Sequence, residues 1–356
     1  MSKTVKRVLI VSASFIIAGM GFFTLGKCMG GETGFAINRT GLHTNRELKE
    51  ASAKQLAVLE KTELEGFRNM NIRVDSNDIE IVPSDDGRFY LEYRLYTYGS
   101  DPKYRVDQGT LDFECILEPL GQMNVGFLVW DTGSSYENEI GTLKVYVPKD
   151  RQLDNVKLQN SDGDIRYGGP DAKAYDLSSS YGNVELEDKN ADQIMISSSD
   201  GKIKCRSVTC KTFAVKNSYG SLELSGIKAE SLAIEASDGK ISLDQIDAGS
   251  MDIENQYGGL DGKALKADAF SMRMSDGKCV LKQADFKKTK MKNSYGTLDI
   301  QLVGREEDYN YDIKTTYGSI TVGGSKSDEE FNQDNRAERN FTAAASDGNI
   351  VITHTE

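Results

Sequence analysis

Histidine is almost missing from this chain: its 356 residues include only His43 and His354, near opposite ends. That pair cannot furnish a multi-histidine metal site, and it leaves a histidine-based triad poorly supplied. Proline is scarce too. All five (Pro83, Pro102, Pro119, Pro148 and Pro170) precede residue 171, while 34 glycines run through the chain. Linker-like or disordered chains use both residues, whereas hydrogen-bonded β structure with regular turns keeps glycine and excludes proline. Basic residues are outnumbered 43 to 55, a net charge of −12, which argues against a nucleic-acid partner. No Cys-x-x-Cys pair, phosphate loop or dinucleotide fingerprint occurs, so no cofactor is expected.

The longest uncharged run, Val8 to Gly26, has 19 residues. As a helix it would span about 28 Å, close to the ~30 Å hydrocarbon core of a bilayer. Lys3, Lys6 and Arg7 precede it and place the short N-terminus in the cytoplasm. The run is longer than the apolar region of a cleaved signal peptide, and Lys27 stands before Cys28 where a lipid-modified cysteine wants a small residue. Residues 1–30 therefore read as a cytoplasmic tip and single-pass membrane anchor, with the remainder exported. Thr44-Asn45-Arg46-Glu47 has capping-box spacing, so a short charged helix is predicted over 45–62, within a juxtamembrane segment 31–66.

The rest is organised by a repeat. Gly163, Gly182, Gly201, Gly220, Gly239, Gly258, Gly277 and Gly296 recur at a step of 19, and Gly318 and Gly348 continue the series with looser spacing. The residue before each glycine alternates: Asp162, Tyr181, Asp200, Tyr219, Asp238, Tyr257, Asp276, Tyr295. Apolar columns keep the same register at seven and five residues before the glycine and at two and four after it, as in Phe213, Val215, Leu222 and Leu224 around Gly220; Gly262 is a gap. A small-residue column lies nine after the glycine (Ala172, Ala191, Cys210, Ala229, Ala248, Ala267, then Phe286). An Asn/Ser column lies three before it (Asn160, Ser179, Ser198, Asn217, Asn255, Asn293). Period-two alternation marks strands with one buried face, and the glycine marks the bend between them.

Two folds can use such a unit. A parallel β-solenoid stacks like positions about 4.8 Å apart, and a meander of Asp-Gly hairpins pairs them antiparallel. The constant step favours the solenoid, with the alanine column at a tight corner. The fold class is thus all-β: a single-stranded β-solenoid of about 19 residues per coil behind an N-terminal transmembrane helix. The solenoid covers 67–356, with an irregular lead-in (67–150), strict repeats (151–303) and looser C-terminal repeats (304–356). Residues 323–339 read as a polar inserted loop.

With its anchor, charged spacer and Ser-x-Gly repeat followed by Ile-x-Leu, the chain resembles the bacterial "putative adhesin" domain family, which includes membrane-anchored, LiaG-like proteins linked with envelope stress. The resemblance covers roughly residues 67–356. It implies a right-handed solenoid and an extracytoplasmic place, and it carries over no active-site residue.

Candidate chemistry is sparse. Val129-Trp130-Asp131-Thr132-Gly133 is similar to an aspartic-protease signature, but the dyad needs a second such carboxylate and the chain has none. It reads as a polar turn. Asp200/Lys202, Asp238/Lys240 and Asp276/Lys278 flank their glycines as solvated neighbouring charges. A nine-residue calcium roll does not fit a step of 19. Cys205, Cys210 and Cys279 sit in apolar columns and read as buried small hydrophobes, with a Cys205–Cys210 disulfide as the alternative in an exported protein. The sharpest surface feature is the ladder Tyr181, Tyr219, Tyr257, Tyr295, one aromatic every second coil, about 9.6 Å apart. It suits a wall glycan or an envelope peptide or protein; the competing reading is that tyrosine merely spaces the aspartates apart, or that the true coil has 38 residues. The expected function is non-enzymatic adhesion, envelope-ligand binding or scaffolding. The alternatives are a regulatory envelope-stress protein acting through a membrane signalling partner and, third, a wall-polysaccharide hydrolase.

Overall fold

The structure, a computed structural model, describes residues 3–30, 34–38, 41–44, 55–97, 101–116, 123–126 and 141–355. The Asp-Thr-Gly turn at 131–133 and the predicted helix's first half, 45–54, lie outside them. Residues fall into two compact units, one of 1–55, 97–100 and 117–139, the other of 56–96, 101–116 and 140–356.

In the first unit, the helix Lys3–Cys28 contains the 22-residue stretch Val5–Gly26, whose most apolar 18 residues have a mean hydropathy of 2.2, long and apolar enough to cross a membrane. Three short antiparallel strands, Gly41–Thr44, Gly34–Asn38 and Met123–Gly126, form a small sheet.

The second unit is a parallel β-solenoid. Its register decides between the two candidate folds: Leu222 pairs with Ile241, Leu224 with Leu243 and Leu232 with Met251, all parallel and all offset by 19 residues. The antiparallel meander and the 38-residue coil are both excluded. Each regular coil has three straight runs. In one coil they are Ile203–Arg206, Val208–Cys210 and Thr212–Asn217, each matched to its copy in the next coil, with breaks at Ser207, Lys211 and Ser218. The breaks turn the chain so that alternate side chains on all three runs face one interior. The columns at +2 and +4 from the glycine, and at −7 and −5, are buried there.

A further inward column, not among those expected from the sequence, stands seven residues after the glycine (Val208, Ile227, Ile246, Leu265, Ala284). Packing conserves volume within it. Where Phe286 replaces the alanine of the +9 column, Ala284 replaces the Leu or Ile at +7, and the Phe286 ring stacks on Phe270 at 4.2 Å. Opposite the Gly262 gap, Leu265 and Leu281 close into the space a side chain would occupy. Lys189 takes a +7 place at 7% exposure; its ammonium donates to the Asp188 carbonyl at 3.1 Å, and burial pulls its pKa down.

Two corners differ from expectation. The left-handed corner lies six residues after the glycine, at Asp188, Ser207, Gly226, Gln245, Ala264 and Gln283, with φ between 51° and 63°. The alanine column instead precedes the second break, at Lys211 and its equivalents.

The order of units in space departs from the order in sequence at both ends. The strands 110–115 and 141–148 lie outermost, 69–74 and 77–84 come next, and only then 153–162 and 165–167. At the other end, the unit around Gly348 (339–355) inserts between those around Gly296 and Gly318. Each chain end of the solenoid is thus held between two neighbours. Short antiparallel strands cover the exposed edges: Lys103–Asp107 and Phe89–Thr97 at one end, Ser325–Ser327 and Glu330–Gln333 at the other. These caps correct two expectations. The polar segment 323–339 contains two edge strands, because the last coil's backbone groups need partners. Residues Gln55–Leu64, predicted helical, form a strand along Phe89–Thr97, with Leu59 and Leu64 against the core; sheet pairing overrides the modest helical spacing.

The C-terminal cap carries a half-buried histidine contact. His354 Nε2 lies 2.7 Å from the Tyr311 hydroxyl, and Arg339 bridges Asp285 at 2.9 Å while donating to the Tyr309 hydroxyl. Burial holds the His354 pKa below the ordinary 6.5. A group with a lowered folded-state histidine pKa stabilises the fold above pH 6.5 and loses that contribution as pH falls through the folded value. The thermal midpoint is therefore expected to drop between pH 7 and 5, above the range where exposed carboxylates titrate, and H354Q should flatten that part of the profile in calorimetry.

Candidate functional site

The glycine corner builds the most regular surface of the molecule. At Gly182 through Gly296 φ lies between 122° and 147°, and a Cβ on any of them would overlap the carbonyl oxygen of the preceding corner glycine. Only glycine lets the corners stack this closely. Inside the corner, Asn217, Asn255 and Asn293 donate their side-chain amides to corner carbonyls of Gly220, Gly258 and Gly277 at 3.1–3.3 Å. The polar column read from the sequence is buried there at 3–6% exposure and clamps the bend from within.

Outside the corner, the preceding residues form one unbroken ladder. Asp162 neighbours Tyr181, which neighbours Asp200, and so on through Tyr219, Asp238, Tyr257, Asp276 and Tyr295. The threaded C-terminal unit then continues it: Tyr295 neighbours Asp347, and Asp347 neighbours Tyr317. In sequence order Tyr295 and Tyr317 would be adjacent. In space Asp347 separates them, and the alternation holds for ten residues.

The tyrosines project into solvent, Tyr181, Tyr219, Tyr257 and Tyr295 at 58–62% exposure and Tyr317 at 74%. Among the described residues the five ladder aspartates are exposed and have no side-chain hydrogen bond or ion pair. The lysines two positions on do not neutralise them, contrary to their pairing in sequence. Lys202, Lys240 and Lys278 reach instead to Glu223, Asp261 and Asp299 in the next coil, at 2.6, 2.6 and 3.6 Å. The ladder therefore presents apolar ring faces and free carboxylates by turns. A groove of about 520 Å³ runs beside it, floored by small polar residues such as Ser218, Ser237, Ser275 and Ser294.

Four of the five tyrosines are legible in the 19-residue step of the sequence. Tyr317 and the place of Asp347 were missed because sequence order hides the insertion; the broken alternation at Tyr295 and Tyr317 was the available signal. Burial disfavours thiol chemistry at the four solenoid cysteines. Cys115, Cys205, Cys210 and Cys279 are free and buried, and burial raises all four thiol pKa values, those of Cys115 and Cys210 to about 11. Thiolates at neutral pH are disfavoured, and the Cys205–Cys210 disulfide is not formed.

Among solved structures, a "putative adhesin" from Bacteroides fragilis is similar at 12% identity and a TM-score of 0.35, over 85% of this chain and 99% of that one. A "putative lipid binding protein" from Parabacteroides distasonis is similar at 11% identity and a TM-score of 0.42, over 83% and 96%. A second "putative adhesin", also from Parabacteroides distasonis, has 14% identity and a TM-score of 0.33, over 70% and 98%. No curated protein matches the sequence. The Toastrack DUF4097 family model matches residues 67–205 and 187–353, most of the solenoid, and the chain belongs to that family.

Proposed function

We propose that the solenoid is a non-enzymatic binding surface of the cell envelope, held to the cytoplasmic membrane by the N-terminal helix as a single-pass anchor, with the solenoid on the extracytoplasmic side. The observation that carries this reading is the ladder: five exposed tyrosines recur every second coil, and the alternation survives where sequence order is broken. A step of about 9.6 Å between rings suits a chain-like ligand with its own repeat, such as a wall glycan or an extended envelope peptide, lying along the ladder. The groove beside it supplies hydroxyls for hydrogen bonds. The ladder carboxylates stand exposed on an outer face rather than flanking an enclosed cleft, so binding rather than turnover is the expected outcome.

The test is retention on purified cell wall. Replacing Tyr181, Tyr219, Tyr257 and Tyr295 with Ser is expected to abolish retention without lowering the thermal midpoint, because these side chains are solvent-exposed. Unchanged retention sinks the reading. Deleting residues 1–30 separates it from regulation through a membrane partner: a wall binder keeps its binding as a soluble chain, whereas a membrane regulator loses function.

A further inference from the structure

A second surface lies on the strand that ends at Tyr295. Outward cations on the regular coils commonly meet an acid one coil away, as in Lys157–Asp176 at 3.2 Å, Lys216–Glu235 at 2.8 Å and Lys287–Asp268 at 2.6 Å. Lys288, Lys290 and Lys292 break this pattern. They are exposed, alternate along one run about 6.6 Å apart, and form no ion pair among the described residues.

The neighbouring rows explain why. On one side Lys288, Lys290 and Lys292 are paired with Ala269, Ser271 and Arg273, and Arg273 is already bound to Glu254 at 2.9 Å. On the other side they are paired with Asn340, Thr342 and Ala344. The threading of the C-terminal unit puts those neutral residues there. The next segment in sequence would have set Asp312 in that row, and it lies one row further out instead. The insertion thus keeps the row free of acid. Acids return two rows away on both sides, at Asp252 and Glu254 and at Asp312, which bounds a basic lane about 19 Å across, four coil steps.

We propose that this lane binds a linear phosphodiester polymer. Its charge is opposite to that of the chain as a whole, three cations lie in line, and Ser271, Asn340 and Thr342 offer hydroxyl and amide donors beside them. A narrow polyanion fits between the flanking acids. A planar anionic membrane would press against Asp252 and Asp312 and meet the net charge of −12. The lane meets the groove beside the tyrosine ladder at Lys292, which lines both, but its charge does not depend on the rings.

The experiment uses the full chain in phosphatidylcholine nanodiscs, with poly(glycerol phosphate) as one probe and phosphatidylglycerol vesicles as the other; both present glycerol phosphodiesters. The chain is expected to bind the polymer at low salt. The variant K288Q/K290Q/K292Q should bind it at least about tenfold more weakly, with an unchanged or higher thermal midpoint because like charges have been removed. The variant K216Q/K240Q/K266Q loses the same charge at ion-paired sites and should stay within about twofold of the parent. Should the triple lane variant misfold, K290Q alone carries the test, with a loss of about threefold expected. Absence of polymer binding, equal loss in the two triple variants, no loss in K290Q, or capture by vesicles without polymer binding overturns the proposal.

Discussion

Replacing Gly239 with Ala is expected to destabilise the solenoid by about 3 kcal/mol or more. Two costs add. Its φ of 122° is a conformation L residues rarely adopt, which costs about 1–3 kcal/mol. Its new Cβ would also overlap the Gly220 carbonyl oxygen, backbone that cannot swing aside as a flexible side chain would. Relief requires the two corners to separate, which breaks ladder bonds between them such as Leu222 N–H to the Lys240 carbonyl at 2.9 Å. Gly226 supplies the control. Its φ of 63° lies in the region that Ser207, Gln245 and Ala264 occupy in neighbouring coils, and a Cβ there would lie 3.5 Å from the nearest atom. G226A is therefore expected to shift stability by no more than about 1 kcal/mol in either direction. Urea unfolding of both variants separates the stacked corner from an ordinary glycine effect.

Ending the chain at residue 338 is expected to unfold the C-terminal end while leaving the central coils intact. The removed segment pairs on two sides, with the units around Gly296 and Gly318. It also takes Phe341, Ile350 and Ile352 from the core, each at most 1% exposed. At about 1.5–3 kcal/mol per large buried side chain, that is roughly 5–9 kcal/mol of apolar burial. The Gly318 unit would then keep only its short cap strands as partners. A solenoid transmits such damage to near neighbours rather than globally. Hydrogen exchange should accordingly show residues 304–338 losing protection and 172–258 keeping it. Uniform loss of protection would show that the terminal insertion supports the whole stack.

Much of this fold is legible from residue types because stacking repeats a constraint. Corners that touch backbone to backbone admit only glycine, so Gly163 through Gly296 appear as a strict series. Columns facing one interior must be apolar, and Asn217 or Asn255 must reach a corner carbonyl, so those series appear as well. The left-handed corner escaped notice because it imposes φ without close backbone approach: Asp188, Ser207, Gly226, Gln245, Ala264 and Gln283 share no side-chain chemistry. The strand Gln55–Leu64 was hidden for a related reason, since its state is set by pairing with Phe89–Thr97, remote from its own sequence. Unit order at the ends is set by long-range pairing too, and both candidate surfaces depend on it: the insertion of 339–355 completes the tyrosine–aspartate alternation and clears acid from the lysine lane.

That insertion underlies both candidate surfaces, and disulfide trapping tests it directly. In-register neighbours on parallel strands have Cα atoms about 4.8 Å apart, within the ~4.4–6.8 Å that a disulfide spans, whereas residues two coils apart, at about 9.6 Å, cannot be joined. Y295C/D347C in a chain also carrying C28S is predicted to form its disulfide readily under mild oxidation, and Y295C/Y317C to stay reduced. Rapid closure of Y295C/Y317C, with Y295C/D347C staying reduced, would place the units in sequence order and contradict the account.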